Sequence, residues 1–215
     1  MDWLVPKVDD FAVEGTGAAA AWHATAWQPL TRVGNGRAEY ATRAKLLYSA
    51  TGLYFLVDCA DRRLTCSGQA DNTNLYTEDV VEVFLWPHEA QELYFEYEIS
   101  PLGAELPILV PNHQGRFHGW LPWHYEGPRR CRRATSVQGG PAAPGATVSS
   151  WRCECFIPFA LFAGLGGTPP AAGRTWRGNV YRIDYDETPS TQWAWCPATG
   201  GHFHNFRQFG TLRFG

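Results

Sequence analysis

The chain has 215 residues and a formal net charge of −3, and only 18% of its residues are charged. This length favours one large β domain over two small ones, so residues 1–215 are expected to form a single domain. The charge balance offers no basic footprint for nucleic acid, and no apolar run reaches the roughly 18 residues of a membrane helix, so we expect neither partner.

Aromatic residues are abundant, with ten Trp, nine Tyr and twelve Phe. Because Trp beyond the needs of a core often marks ligand platforms, this content indicates a surface on which ligands stack. The start of the chain, MDWLVPK, has no basic segment followed by an apolar stretch, so it does not predict a signal peptide. We therefore expect a cytoplasmic protein or a mature exported form.

The six cysteines are expected mainly as small core residues. Cys59 and Cys66 flank a predicted turn and could form a disulfide in an oxidising compartment. No CxxC spacing occurs anywhere in the chain, so a structural zinc site is not expected.

Strand signals dominate the chain, and helical periodicity is weak. Two hairpins are predicted, one from residues 42–48 and 53–59 and the other from residues 80–86 and 93–100. Later strands are predicted at residues 151–157, 180–185 and 211–214. This spacing predicts an all-β chain that folds as a single antiparallel β-sandwich of jelly-roll type.

Residues 127–150 differ from their surroundings because they are rich in Gly, Pro, Ala and Arg. This composition predicts one long loop or a mobile hairpin. The four arginines within residues 129–133 are expected to form a solvated rim of that loop rather than a phosphate site.

The strand at residues 80–86 carries an acid among apolar neighbours. Alternation along a strand places Val81, Val83 and Leu85 on one face, which we expect in the core, and Glu82 on the other. A carboxylate in the middle of an apolar strand costs stability unless something pairs with it. Glu82, beside an aromatic loop residue, therefore suggests a surface that faces a sugar.

Three segments, taken in order, resemble the family 9 carbohydrate-binding modules of the DOMON-like superfamily. They are Trp22 with residues 42–57, the acidic strand at residues 79–85, and the closing residues 195–214. The likeness covers roughly residues 22–214, with residues 127–150 unmatched. It implies non-catalytic binding of a mono- or oligosaccharide whose ring lies between two aromatic side chains, and a glycan-degrading enzyme as a partner.

The resemblance assigns the first half of a sugar site. Tyr76 stands six residues before Glu82, where the xylanase-attached branch of the family has a Trp, and its ring could stack on a sugar. On the following strand, Glu96 stands where that branch has an Arg that hydrogen-bonds sugar hydroxyls. The resemblance thus implies that Tyr76 supplies one aromatic wall and that Glu82 and Glu96 hold hydroxyl groups.

The resemblance assigns the second half of the site to the C-terminal third. Trp193 and Trp195 are the candidates for the second aromatic wall. Arg182 lies in the segment that matches an Asn-Asp pair of the family, and it could donate to hydroxyls or pair with Glu82. The alternative is that Arg182 and Glu82 form an ion pair that fixes the sheet, with Trp193 in the core.

The family also binds structural calcium in places, and no other cofactor is expected. Four aspartates could supply oxygen ligands, although their spacing fits no compact calcium loop: Asp58, Asp61, Asp71 and Asp79. Histidines offer a weaker metal hypothesis. His202 and His204 have acceptable ligand spacing, and three further histidines, His113, His118 and His124, fall within twelve residues, but no third ligand for the first pair is identifiable.

Two other classes of function stay open. Glu82 and Glu96 on neighbouring strands could serve a glycan-active enzyme, and the aromatic surface could serve a protein–protein interaction module. Trp120 and Trp123 form a second aromatic cluster, for which packing under a loop is favoured over an extension of the ligand groove.

Overall fold

The computed structural model describes residues 1–68, 70–123, 126–200 and 202–215. Fifteen strands lie in this part of the chain: β1 (Asp2–Val5), β2 (Gln28–Pro29), β3 (Thr31–Val33), β4 (Thr42–Tyr48), β5 (Gly52–Ala60), β6 (Val80–Trp86), β7 (Leu93–Ile99), β8 (Glu105–His113), β9 (Arg116–Phe117), β10 (Leu121–Pro122), β11 (Arg132–Gln138), β12 (Ser150–Pro158), β13 (Thr175–Asp184), β14 (Thr191–Ala194) and β15 (Gly210–Phe214). Short 3-10 helices occupy Ala20–Ala24, Leu75–Thr77, Gly127–Arg129, Phe159–Phe162 and Phe206–Gln208.

The strands form two sheets. The larger sheet runs in the order β1-β15-β13-β6-β7-β8-β10, with β14 and β3 continuing from β13 and with β9 paired to β8. The smaller sheet runs in the order β11-β12-β5-β4-β2. Both predicted hairpins are present as β4–β5 and β6–β7, and β1 pairs with β15 in parallel. The predicted β-sandwich is confirmed.

The main core lies between the two sheets and takes side chains from both. Val81, Val83 and Leu85 of β6 are fully buried there, as the alternation predicts, and they share this cluster with Phe55 and Cys153 of the smaller sheet. Full burial of one such side chain contributes about 1.5–3 kcal/mol. The inner faces therefore supply the largest apolar cluster of the fold.

The outer faces of both sheets are partly covered by segments from near the chain ends. Phe11 in the N-terminal segment stacks on Tyr54 of the smaller sheet, with ring centroids 4.1 Å apart. On the larger sheet, Phe206 and Phe209 pack against Phe84 and Tyr94. The C-terminal cover does not extend over the whole sheet, and the uncovered part carries the cavity described below.

Two parts of the fold differ from the expectation. Residues 127–150 contain β11, which pairs with β12 along its whole length, so the hairpin alternative holds and the single loop does not. Arg133 on β11 is not a solvated rim residue, because its guanidinium lies 2.8 Å from Asp71 and 2.6 Å from Glu105. β8 had no predicted counterpart because Pro107 and Pro111 argue against a strand.

All six cysteines are buried, which confirms them as core residues, and Cys59 and Cys66 do not form the disulfide that their spacing allowed. No helix in the described ranges is long and apolar enough to cross a bilayer.

Candidate functional site

An open cavity of about 490 Å³ lies on the outer face of the larger sheet. Its floor comes from outward-facing residues of β6, β7 and β13, and its walls come from loops and from β9. The lining residues are Tyr76, Glu82, Glu96, Glu98, Phe117, Trp120, Ile183, Gln192, Gly200, His202, Phe203 and His204. Carboxyl groups and aromatic rings dominate this set.

Three glutamates form the polar part of the floor. Glu82 on β6 lies directly opposite Glu98 on β7. Glu96 lies two residues before Glu98 on β7, so the two side chains share one face of the sheet. Each side chain is 1–3% exposed, and one carboxylate oxygen from each lies within 4.8 Å of the other two. Like charges directly opposite each other destabilise a sheet, so this arrangement opposes full ionisation.

Burial raises the pKa of all three carboxyl groups. The pKa of Glu98 rises to about 8, although hydrogen bonds from Glu96 and from the backbone N–H of Tyr76 act against the rise. Burial and then repulsion from Glu98 raise the pKa of Glu82 well above its usual range. Burial and then repulsion from both neighbours do the same for the pKa of Glu96. The floor therefore retains protons at neutral pH.

The floor also has unsatisfied oxygen atoms. Oε2 of Glu96 and Oε2 of Glu98 are buried without a hydrogen-bond partner among the described residues. His204 Nδ1 lies 3.8 Å from Glu96 Oε2, beyond hydrogen-bond distance. Buried polar atoms are almost always paired, so these two oxygens are placed to accept hydrogen bonds from a ligand or water in the cavity.

Tyr76 forms one aromatic part of the wall. It lies in the short helix Leu75–Thr77, immediately before β6. Its backbone carbonyl accepts a hydrogen bond of 2.7 Å from the Tyr185 hydroxyl, which ties the loop to the end of β13. The side chain is 36% exposed, so its ring is accessible to a ligand.

Phe117 forms a second aromatic part of the wall and was not predicted from sequence. It lies on β9, which pairs with β8 across the two-residue turn Gln114–Gly115. Both turn residues have positive φ, 50° and 82°, as a type I′ hairpin turn requires, and glycine suits the second position. Phe117 is 42% exposed and stacks on the His204 ring, with centroids 4.2 Å apart.

His204 lies between the floor and this wall. Its Nδ1 is 2.7 Å from the Tyr94 hydroxyl, a buried group of β7. Burial, followed by the proximity of His202, lowers the pKa of His204 to about 4, so the imidazole is neutral at pH 7. His204 therefore adds a hydrogen-bonding edge and an apolar face rather than a positive charge.

Three of the six sequence-predicted site residues line this cavity, namely Tyr76, Glu82 and Glu96. Trp193 and Trp195 do not, because each is 2% exposed and lies in the core between the sheets. Trp193 alternates along β14 with Gln192, which does line the cavity, so the indole points to the opposite face. The prediction that Trp193 or Trp195 forms the second aromatic wall is therefore wrong.

Arg182 also lies on the core side of the larger sheet. Its Nη2 donates to Asp61 at 3.0 Å and to Asp184 at 2.7 Å, and its guanidinium carbon lies 4.9 Å from the centre of the Trp193 ring. It occurs opposite Val81 in the β13–β6 ladder, whereas Glu82 faces outward. With this placement, Arg182 cannot donate to sugar hydroxyls in the cavity, and it cannot form an ion pair with Glu82. Trp193 does lie in the core, as the ion-pair alternative expected.

Sequence reasoning missed several lining residues. Glu98 had a usable signal, since it lies two residues after Glu96 and must share its face. Phe117, Phe203 and Gln192 had none, because only the fold brings their segments to the cavity. Trp120 lines the cavity as well as packing on the outer apolar cluster, whereas Trp123 packs against the main core.

The four aspartates considered for calcium do not form a shared site. Asp58 pairs with Arg43 and Arg152, at 2.8 and 2.6 Å, and Asp71 pairs with Arg133. Asp61 instead lies with Asp184 and Asp186, where Arg182 already supplies a positive charge. Calcium binding by this protein stays a prediction.

Of the histidines considered as metal ligands, only some of those in the described residues lie at the cavity. His202 and His204 both lie at the cavity, with ring centroids 5.6 Å apart. His113 and His118 are not among the residues that line the cavity, and His124 lies outside the described residues. Within the described ranges, the metal-like groupings of three consist of carboxylates and include no histidine.

Comparison with known proteins agrees with this architecture. The model of the family described as "Carbohydrate family 9 binding domain-like" matches residues 13–102. That range includes Tyr76, Glu82, Glu96 and Glu98, so it covers the carboxylate floor. No curated protein matches the sequence significantly. The resemblance to family 9 carbohydrate-binding modules is thus confirmed.

Solved structures extend the similarity to the whole chain. A protein from Bacteroides uniformis, whose proposed role is carbohydrate binding, is 20% identical with a TM-score of 0.80, over 100% of this chain and 99% of that one. A family 9 carbohydrate-binding module from Caldicellulosiruptor kristjanssonii, solved with cellotriose and with glucose, is 15% identical with a TM-score of 0.69. Those alignments cover 100% of this chain and 93% and 96% of the module. At these identities the likeness defines the fold.

Proposed function

We propose that this protein binds carbohydrate without transforming it, and that the cavity on the outer face of the larger sheet is the binding site. The observation that carries the proposal is the convergence of aromatic rings and buried carboxyl groups on one open cavity. Sugars present apolar C–H faces that stack on such rings, and hydroxyl edges that need planar polar groups. The Caldicellulosiruptor module, which has the same fold, was solved with glucose and cellotriose.

In this proposal each side chain has a role that follows from its position. Tyr76 and Phe117, the two most exposed rings of the wall, stack on the sugar. Glu82 and Glu96 hydrogen-bond the hydroxyl groups that reach the floor. Phe203 supports the wall from below, since it stacks on Tyr181 with ring centroids 4.0 Å apart.

Removal of either exposed ring is expected to weaken sugar binding. Tyr76→Ala and Phe117→Ala should each cost about 1–3 kcal/mol of binding free energy, because each change removes a large apolar face. Calorimetric titration with glucose, cello-oligosaccharides and xylo-oligosaccharides measures the loss. Trp27 packs against the apolar cluster on the outer face of the smaller sheet, so Trp27→Ala is the matched aromatic control and should bind as the parent does. If both cavity variants bind as the parent does, this cavity is not the binding site. If the parent binds none of these sugars, the proposed function is wrong.

The proposal includes the absence of catalysis. Glycoside hydrolysis needs one carboxyl group that is protonated and another that is ionised. Here burial raises the pKa values of both Glu82 and Glu96, which disfavours the ionised carboxylate that such a pair requires. We expect no nitrophenol release from a panel of nitrophenyl glycosides; release that disappears in Glu82→Gln would assign an enzyme instead. A glycan-degrading enzyme acting on the same sugar is the partner we propose.

A further inference from the structure

No Lys or Arg of the described residues forms an ion pair with the carboxylate floor. Among the described residues that line the cavity there is neither Lys nor Arg. Arg182 lies on the other face of the sheet, where Asp61 and Asp184 already take its charge. His204 is neutral at pH 7. Three carboxyl groups therefore lie with one oxygen each within 4.8 Å of the others, and no Lys or Arg of the described lining offsets their charge.

A neutral sugar does not require this arrangement. Hydroxyl groups can be held by one or two carboxylates or by amide side chains, without the cost of gathering three acids in a buried position. An ammonium group, in contrast, brings three N–H donors and one positive charge. It would satisfy Oε2 of Glu96 and Oε2 of Glu98. It would also offset the repulsion from Glu82 and Glu98 that, after burial, raises the pKa of Glu96.

The aromatic wall favours the same chemistry. A cation near the face of an aromatic ring is attracted by the ring quadrupole, and this attraction strengthens when water is excluded. Tyr76, Phe117, Trp120 and Phe203 border the cavity above the acids. This combination of aromatic rings and carboxyl groups is typical of sites that bind cations. The cavity is also large enough for a sugar ring.

We propose that the preferred ligand is an amino sugar, bound with its protonated amine against Glu82, Glu96 and Glu98. The inference rests on the proposed function, since it names the substrate class of the same cavity. The sugar ring stacks on the aromatic wall, and the amine is the group that distinguishes this ligand from glucose.

Proton release provides a signature of this binding mode. The ammonium group favours the ionised form of acids that hold protons in the free cavity, so binding should release protons to the buffer near pH 7. The titratable groups that face the site, besides the three glutamates, are Tyr76, Tyr94, Tyr181, Tyr185, His202 and His204. The raised pKa values of Tyr94, Tyr181 and Tyr185 keep these three hydroxyls protonated at neutral pH.

The test compares three sugars of one ring geometry by calorimetric titration at pH 7. Glucosamine should bind at least about tenfold more tightly than glucose, and more tightly than N-acetylglucosamine, which keeps the nitrogen but not the charge. Glu98→Gln and Glu96→Gln should each lower the ratio of glucosamine to glucose affinity. Glu14→Gln removes the same charge on the far side of the molecule and should keep the ratio. Two floor variants are used so that one poorly folded variant does not decide the outcome.

The outcomes separate the inference from the function beneath it. Equal or tighter binding of glucose than of glucosamine overturns the amino-sugar inference and leaves carbohydrate binding in place. No binding of any sugar overturns both. Titration with calcium chloride alone tests a divalent ion in the same position: saturable binding that is lost in Glu98→Gln would assign the floor to a metal and overturn the inference.

Discussion

Replacing Arg182 by Ala is expected to lower the free energy of unfolding by about 3–5 kcal/mol, because it leaves two buried carboxylates without their counter-charge. The guanidinium also joins the two sheets, since it donates to Thr42 Oγ1 at 3.0 Å and to the Ala60 carbonyl at 2.6 Å. Urea unfolding followed by tryptophan fluorescence measures the change.

Arg213→Ala is the matched control for this prediction. Arg213 lies 3.4 Å from Asp2, and both side chains are exposed, so its loss should cost at most about 1 kcal/mol. Arg182→Ala should also lose more stability at pH 8 than at pH 5. At pH 5 Asp61 and Asp184, which lose their partner, can be neutralised by protonation, whereas at pH 8 this protonation is less favourable. A loss in Arg182→Ala no larger than in the control would show that the buried pair adds nothing to the sandwich.

The stability of the protein without ligand is expected to fall as pH rises from about 5 to about 9. Glu98 has a folded-state pKa of about 8, above the ordinary value of a glutamate, so the folded state holds a proton that the unfolded state releases. The stabilisation from this group is therefore complete below the ordinary pKa and disappears as pH rises through about 8. Asp79 acts in the same direction, since burial raises its pKa to about 8 as well.

Glu98→Gln separates the carboxylate floor from the other buried acids. At pH 9 this variant should be more stable than the parent by about 2 kcal/mol, since glutamine carries no charge to bury. At pH 5 the two proteins should be nearly equal. Glu14→Gln removes an exposed acid of the N-terminal segment and should follow the parent at both pH values. A variant less stable than the parent at pH 9 would mean that the Glu98 carboxylate is stabilised in the folded state.

The sequence predicts the parts of this fold that depend on local alternation. Strand β6 shows it best: Val81, Val83 and Leu85 enter the core, while Glu82 faces outward, as the period of two requires. The same rule, applied one step further, would have added Glu98 to the site. β8 escaped prediction because Pro107 and Pro111 disrupt the pattern.

The parts that were missed depend on which strands become neighbours. Trp193 and Trp195 share one face, but sequence alone does not say that this face is the inner one. β14 reaches that position by pairing with β13, where Trp193 lies opposite Arg182. In the same way, the stacking of Phe117 on His204 joins positions 87 residues apart. Such pairs follow from topology, for which a single sequence carries little signal.

The two faces of the larger sheet can change independently of each other. Core residues point inward from β6 and β7, whereas the cavity is built from their outward residues, from Phe117 on β9 and from loop residues 202–204. A library randomised at Phe117, His202 and Phe203 would therefore sample new ligand preferences with little risk to folding. The same separation gives natural variation a way to diversify recognition while the scaffold is retained.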